Sequence, residues 1–239
     1  YELATGGVPD WTAWHSTTTK TPPYADLEPR FHATVLYNGA EWKGRLIEPF
    51  VDGVDGWCQW NIDREPMGRT TTGYYLRKLV DEDHDVIAYS GGVQPLIIMR
   101  YAEVLLNKAE ACYHLDQSAD ANAAVKKIRE RVDLPYTDKG GSALWDAIRQ
   151  ERKVELAFEG LWYWDLRRWG VAHKQYPEGL TGYQQHGLKI ENNGDGTFTY
   201  TYVSVDDQDR NFPEKMYRFP MPSGELNNNA LVEQYPEWK

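Results

Sequence analysis

The 239-residue sequence has no long hydrophobic run, only two cysteines and no excess of basic charge. No apolar stretch approaches the roughly 18 residues that a membrane-spanning helix needs. The net charge of −10 argues against nucleic acid and anionic membrane surfaces as partners, because both attract Lys and Arg. The charge does not exclude neutral ligands, such as sugars or peptides. Cys58 and Cys112 lie far apart in sequence, and we expect them to be free, buried thiols.

The common enzyme and metal motifs are also missing. The six histidines are scattered, and none has the HExxH spacing of a zinc site. The sequence contains no GxSxG elbow, no GxxxxGK loop and no GxGxxG fingerprint. A glycosidase needs two carboxylates on either side of a sugar, and nothing selects such a pair among 36 acidic residues. We therefore expect no catalytic residues, no metal and no cofactor.

One acidic turn, residues 81–85, is an alternative candidate for a cation site. Its sequence, DEDHD, offers several oxygen ligands of the kind that calcium prefers. It lacks the EF-hand spacing with a central glycine and a final glutamate, and a solvated loop explains it better.

A helical core is predicted over about residues 95–170. Its first segment, residues 95–115, has apolar side chains at steps of three and four, which is typical of an amphipathic helix. Those side chains are Ile98, Tyr101, Leu105, Ala109, Cys112 and Leu115. The second segment, residues 119–132, continues the pattern with Ala121, Val125, Ile128 and Val132. The short connection at residues 116–118 predicts an antiparallel helical hairpin.

The third segment, residues 144–170, mixes charges with large aromatic side chains. The charged residues are Arg152, Glu155, Glu159, Asp165, Arg167 and Arg168. Buried charges must pair, so their alternating signs predict an internal lattice of ion pairs, with acid–base catalysis as the weaker alternative. The tryptophans of this segment are expected in the core: Trp145, Trp162, Trp164 and Trp169.

Loop-rich stretches, residues 1–94 and 171–239, flank the core. Residues 31–36 and 74–80 are predicted to be strands, with Asn38-Gly39 as a hairpin turn. Residues 188–190 and 197–205 predict another hairpin around the NNGDG turn. No linker is long or polar enough to divide the chain, so we expect one domain over residues 1–239.

Tryptophan in loops is the main functional signal. Five of the ten tryptophans fall in the Gly- and Pro-rich stretches: Trp11, Trp14, Trp42, Trp57 and Trp60. An indole held in a loop can stack on the apolar face of a sugar ring, so these five are the candidate carbohydrate-binding residues. The alternative for each is that the side chain pins its loop to the core.

Five sequence blocks, in this order, resemble the SusD/RagB family. They are PYADLEPRFHATVLYNG, GYYLRKLV, PLIIMRYAEVLLNKAEA, ERKVELAFEGLWYWDLRRWG and RFPMPSGELNNNALVEQYPEW. Together they span most of residues 22–238 and resemble the C-terminal half of a typical member. The family's N-terminal half and lipid-bearing cysteine have no match in this chain.

The resemblance implies a mainly α fold with tetratricopeptide-like helical hairpins, long loops and small β-hairpins. It further implies a lipoprotein at the outer surface of the outer membrane, anchored outside these residues. Such proteins capture a glycan and pass it to a SusC-like TonB-dependent outer-membrane transporter. Two alternatives remain: capture of peptides, and a scaffold that only docks the transporter.

Overall fold

The computed structural model describes residues 1–60, 62–63, 68–84 and 97–239. Within them the chain divides into two compact units. Unit 1 contains Tyr1–Gly160 and His186–Asp206, and unit 2 contains Leu161–Gln185 and Asp207–Lys239. Among the described residues, no helix is both long enough and apolar enough to cross a bilayer. The prediction of one domain stays a prediction.

The fold is mainly helical, as predicted, with short β-hairpins between the helices. The α-helices of the described residues are α1 (Pro29–Thr34), α2 (Tyr101–His114), α3 (Ser118–Glu130), α4 (Gly141–Glu155), α5 (Trp162–Arg168) and α6 (Ser223–Asn228). The strands are β1 (Val35–Leu36), β2 (Glu41–Trp42), β3 (Arg45–Leu46), β4 (Tyr75–Leu76), β5 (His186–Asn192) and β6 (Phe198–Ser204).

Helices α2, α3 and α4 form the main core of unit 1. Their shared cluster consists of Ala109, Cys112, Ala121, Ala124, Val125, Leu144 and Ile148. Small alanines at the contacts let the helices approach closely, and the longer side chains of α4 fill the remaining space. The predicted helical hairpin of α2 and α3 is confirmed, and both cysteines are free and buried.

The apolar face predicted for the first helix is partly wrong. Residues 95 and 96 lie outside the described residues, and the helix begins only at Tyr101. Ile98 is 87% exposed, and Tyr101 and Leu115 are also exposed. The buried face instead follows Leu106, Ala109 and Cys112, because α2 must face α3 and α4 on one side only.

Residues 31–36 are not a strand. Pro29 occupies the first turn of α1, where its fixed φ favours a helix and its missing N–H costs nothing. Only Val35 and Leu36 form a strand, and they pair with β4. The predicted strand at residues 74–80 is likewise only Tyr75–Leu76. Asn38-Gly39 therefore does not join a hairpin, although Gly39 has the positive φ of a turn residue.

The predicted C-terminal hairpin is confirmed. β5 and β6 pair in antiparallel register from His186 with Ser204 to Asn192 with Phe198. Leu188, Ile190 and Tyr200 point inward and are buried. A further hairpin of β2 and β3, which the sequence does not predict, lies inside the loop-rich residues 1–94.

Residues 144–170 form two helices rather than one. The break follows α4, where Phe158 and Gly160 both adopt positive φ before α5 begins at Trp162. In unit 2, α5 packs through Leu166 against Ala172 and Phe212. The expectation that Trp164 is a core residue is wrong, because it is 52% exposed. The other three tryptophans of this segment are partly buried against core clusters.

Candidate functional site

The structure places two of the five candidate tryptophans together near the N-terminus. The rings of Trp11 and Trp14 meet edge to face, with centroids 5.6 Å apart. Trp14 is 5% exposed and packs on the inner face of β5 and β6. Its Nε1 donates a 2.8 Å hydrogen bond to the Lys20 carbonyl. This burial shows that Trp14 holds its loop to the hairpin; ligand contact by either ring stays a prediction.

Trp42 lies apart from that pair, on β2. It is half-buried against the cluster of Leu36 and Ile47. The Arg77 guanidinium lies 5.7 Å from the centre of the Trp42 ring, within the range of a cation–π contact. The ring is thus already engaged by protein groups.

Trp57 and Trp60 share one loop of unit 1. The half-buried Trp57 donates from Nε1 to the Thr71 carbonyl at 3.1 Å, and Lys189 Nζ lies 5.8 Å from its ring centre. Trp60 is 46% exposed, the most exposed of the five candidates. Of the five, it has the indole most available for stacking on a ligand.

Hydrogen bonds from Tyr75 and Arg45 brace this loop. The Tyr75 hydroxyl lies 2.7 Å from the Asp55 carbonyl oxygen and 2.8 Å from that of Gly68, close enough to donate to either. Burial raises the pKa of Tyr75 to about 12, so the phenol stays protonated and remains a donor. Arg45 also grips the Asp55 carboxylate through two 2.6 Å hydrogen bonds, which lower the pKa of that carboxyl. These hydrogen bonds therefore hold in place the loop that carries Trp57 and Trp60.

The outer face of β5 and β6 offers polar groups next to Trp57. Lys189, whose ammonium approaches the Trp57 ring, pairs with Glu191 at 2.9 Å. Across the hairpin, Thr201 is paired with Lys189 in the strand register, and its hydroxyl accepts from Thr17 at 3.3 Å. An indole beside hydroxyls and charged groups is an arrangement that can hold a sugar ring by its face and its edge.

The predicted lattice of ion pairs is confirmed only in part: Glu155 and Glu159 belong to one near the end of α4. Glu155 accepts hydrogen bonds from Arg30 at 3.1 Å, Arg100 at 2.6 Å and Arg131 at 2.8 Å. Glu151, one turn earlier, binds Arg30 and Arg129. All four of these arginines come from outside the segment in which the lattice was predicted, and no local pattern marks them.

Not every charged residue of that segment joins the lattice. In unit 2, Arg167 instead donates to the carbonyls of Met216 at 2.6 Å and Tyr217 at 2.9 Å. Asp165 and Arg168 pair locally within α5 at 2.9 Å. Arg152 donates to Asn107 at 2.7 Å.

The pKa values of the two α4 carboxylates are shifted in opposite directions. Burial raises the pKa of Glu151 despite its arginine partners. Burial also acts to raise the pKa of Glu155, but hydrogen bonds and charge from Arg100 and Arg131 outweigh it and lower the pKa. Both side chains are only 2% exposed and already bound to arginine, so this geometry favours a structural role over acid–base chemistry.

No metal site emerges from the part of the chain that the structure describes. There, no group of three or more His, Cys, Asp or Glu side chains is placed to hold an ion. The acidic turn can be judged only in part, because Asp85 lies outside the described residues.

Comparison with known proteins resolves the family. The sequence matches the SusD family over residues 6–238. The chain belongs to the SusD family. SusD-like protein P38 of Formosa agariphila is 40% identical in an 87-residue alignment, and the match covers 32% of this chain and 17% of that protein.

Solved structures agree with the SusD-family assignment. A SusD-like protein of Bacteroides fragilis superimposes with a TM-score of 0.76 at 26% identity, covering 99% of this chain and 45% of that one. A second Bacteroides fragilis structure, described as a SusD-like carbohydrate binding protein, gives 0.68 at 24% identity and covers 96% and 46%. The chain thus spans less than half the length of these relatives.

Proposed function

We propose that this SusD-family chain is part of a cell-surface protein that captures a polysaccharide or oligosaccharide. The observation that carries the proposal is the exposed Trp60 beside Trp57 on a braced loop, in a chain of this family. The structural relative that is described as carbohydrate binding is 24% identical, so its likeness supports the fold and only motivates the choice of ligand.

Within this proposal the five tryptophans have graded roles. Trp60 makes the main stacking contact, because nearly half of its surface is open to water. Trp57 and Trp42 make smaller contacts with the ligand, since protein groups already cover part of each ring. Trp11 and Trp14 act mainly by holding the N-terminal loop against the β5–β6 hairpin.

The proposal includes location and partner. The protein is held by a lipid anchor at the outer surface of the outer membrane and delivers its ligand to a SusC-like TonB-dependent transporter. It binds its ligand without catalysing a reaction. This part of the proposal rests on family membership.

Isothermal titration of the purified protein against a panel of soluble oligosaccharides tests the capture role. The panel contains cellohexaose, laminarihexaose, maltoheptaose and xylohexaose, with a tryptic peptide digest as the competing ligand class. Saturable binding of one saccharide class supports glycan capture. Enrichment of peptides without saccharide binding supports the peptide-capturing alternative instead.

A specific surface favours the third possibility, a scaffold that docks the transporter. Ile97, Ile98, Met99 and Tyr101 are all more than half exposed around the start of α2. Apolar surface of this kind is common in protein–protein interfaces. A folded protein that binds neither saccharide nor peptide, yet co-purifies with the transporter, supports this alternative.

A further inference from the structure

A groove in unit 1 has the size and lining of a ligand site. It lies beside α3 and α4 and is bordered by Gly6, Gly7 and Val8 and by residues 135–139. Its volume is about 560 Å³. Small-molecule sites typically enclose about 300–1,000 Å³, so the groove is large enough for a ligand of several rings. None of the five candidate tryptophans lines it.

One wall of this groove, which we call the α3–α4 groove, is an aromatic ring in a fixed position. Tyr136 is half-buried, and its hydroxyl donates a 2.7 Å hydrogen bond to Asn122 Oδ1. The Arg129 guanidinium lies 5.8 Å from the centre of the ring. Arg129 is itself held by Glu2 at 2.7 Å and Glu151 at 3.0 Å. Because Arg129 and the core cluster already contact this ring, Tyr136 is a wall of fixed position rather than an open stacking face.

The remaining lining combines an apolar base with polar groups that have no side-chain partner. Val125, Ala143 and Ala147 supply small apolar surfaces. Four exposed polar side chains line the groove without a side-chain hydrogen bond to any residue that the structure describes. They are Thr137, Lys139, Asp146 and Gln150. Asp146 and Gln150 are four residues apart on α4 and therefore share one face.

The charge of the lining limits the ligand class. The acidic members are Glu2, Asp146 and Glu151, and the basic members are Arg129 and Lys139. Because Arg129 is already bound to two carboxylates, Lys139 is the basic group left for a ligand. Phosphate, sulfate and uronate groups are therefore disfavoured, and a neutral ligand fits best.

We propose that the α3–α4 groove is a second saccharide site, which binds a neutral segment on the order of two or three sugar rings. The apolar lining of the groove, which includes Tyr136, contacts the apolar face of one ring, and the four free polar side chains bind the hydroxyls along its edges. The ligand class rests on the proposed function, whereas the site rests on the groove itself. Such a second site lets one polysaccharide chain be held at two points, which raises the overall affinity.

Titration of the intact protein with the same oligosaccharide panel tests this second site. Ala143→Trp fills the groove with an indole, and Ala123→Trp, at an exposed α3 position outside the lining, is the matched control. We expect a stoichiometry near two for the wild type and the control, and near one for Ala143→Trp. If Ala143→Trp does not fold, the exposed double variant Asp146→Ala/Gln150→Ala should still weaken groove binding about tenfold or more. Asp120→Ala, also exposed on α3, is its control.

The two proposals fail in different ways in this experiment. If Trp60→Ala abolishes all saccharide binding while the groove variants bind like wild type, the second site is overturned and the loop site stands. If Trp60→Ala retains one site that Ala143→Trp removes, the groove is supported. Binding of peptides instead of saccharides in the groove, or no saccharide binding by any folded variant, overturns the inference.

Discussion

Arg30 in α1 donates a 3.1 Å hydrogen bond to Glu155 in the last turn of α4, 125 positions later in the chain. Both side chains are nearly buried, at 9% and 2% exposed. The same carboxylate also binds Arg100 and Arg131. Glu155 thus joins the loop-rich N-terminal part of unit 1 to its helical core.

We predict that Glu155→Gln lowers the free energy of unfolding by roughly 1–3 kcal/mol, because it removes a buried charge that binds Arg30, Arg100 and Arg131. The loss is limited because Arg30 keeps its pair with Glu151 and Arg100 keeps its pair with Glu159. Urea unfolding followed by circular dichroism measures the change. Glu130→Gln is the control, since its pair with Lys126 is exposed and 3.9 Å long and should cost less than about 1 kcal/mol. A loss for Glu155→Gln no larger than the control contradicts a central role for this carboxylate.

Acid should destabilise the protein. The pKa values of Glu155 and Glu159 are lowered from 4.5, because hydrogen bonds from Arg100 outweigh burial. A lowered folded-state pKa gives stability that is present above the unfolded value and is lost as the pH falls through the folded value. The contribution of Glu151 to stability has the opposite pH dependence: burial raises its pKa, so its protonation at low pH favours the folded state.

Urea midpoints measured from about pH 6 to about pH 3 should therefore fall steeply below about pH 4.5. The double variant Glu155→Gln/Glu159→Gln should show a shallower fall than the wild type. Parallel pH profiles for the two proteins mean that other carboxylates control acid unfolding.

Gly187 on β5 should not tolerate a side chain. A Cβ at this position would lie 2.4 Å from Thr72 Cα and 2.8 Å from the Thr72 carbonyl oxygen. Backbone cannot move aside cheaply, so Gly187→Ala should cost about 1–3 kcal/mol of stability. Gly224→Ala, in α6 with nothing within 4 Å, should be neutral or stabilising by up to about 1 kcal/mol. Thermal melts that rank the two variants the other way refute the close approach.

Trp14 and Trp60 should respond differently to truncation. Trp14 is 5% exposed, so Trp14→Ala should destabilise the fold by about 3–5 kcal/mol. Trp60 is 46% exposed, so Trp60→Ala should change stability by less than about 1 kcal/mol. Denaturant titrations of both variants check this, and equal losses would show that Trp60 is also a structural anchor.

Local sequence patterns predicted the elements that local physics controls. Steps of three and four residues predict α2 and α3, and the NNGDG turn predicts the β5–β6 hairpin. Residues 31–36 were misread because their β-forming side chains were weighed without Pro29, which starts a helix. The sequence of α2 alone does not predict which of its faces is buried, because this depends on where α4 packs.

The candidate sites were less accessible to sequence reasoning. The sequence identifies the loop tryptophans, but only the structure shows that Trp14 is buried and Trp60 is exposed. The arginines around Glu155 come from three separate places in the chain, so no spacing rule finds them. The α3–α4 groove likewise exists only after Tyr136 and α4 are brought together.

Titration of Trp60→Ala and Trp164→Ala with the best-binding oligosaccharide tests glycan capture most directly. Both tryptophans are about half exposed, but only Trp60 lies in the candidate loop. At the loop site, Trp60→Ala should weaken binding at least tenfold, equivalent to a stacking loss of about 1.4 kcal/mol, and Trp164→Ala should bind like wild type. Equal affinities for the wild type and both variants would contradict Trp60 as the main glycan contact.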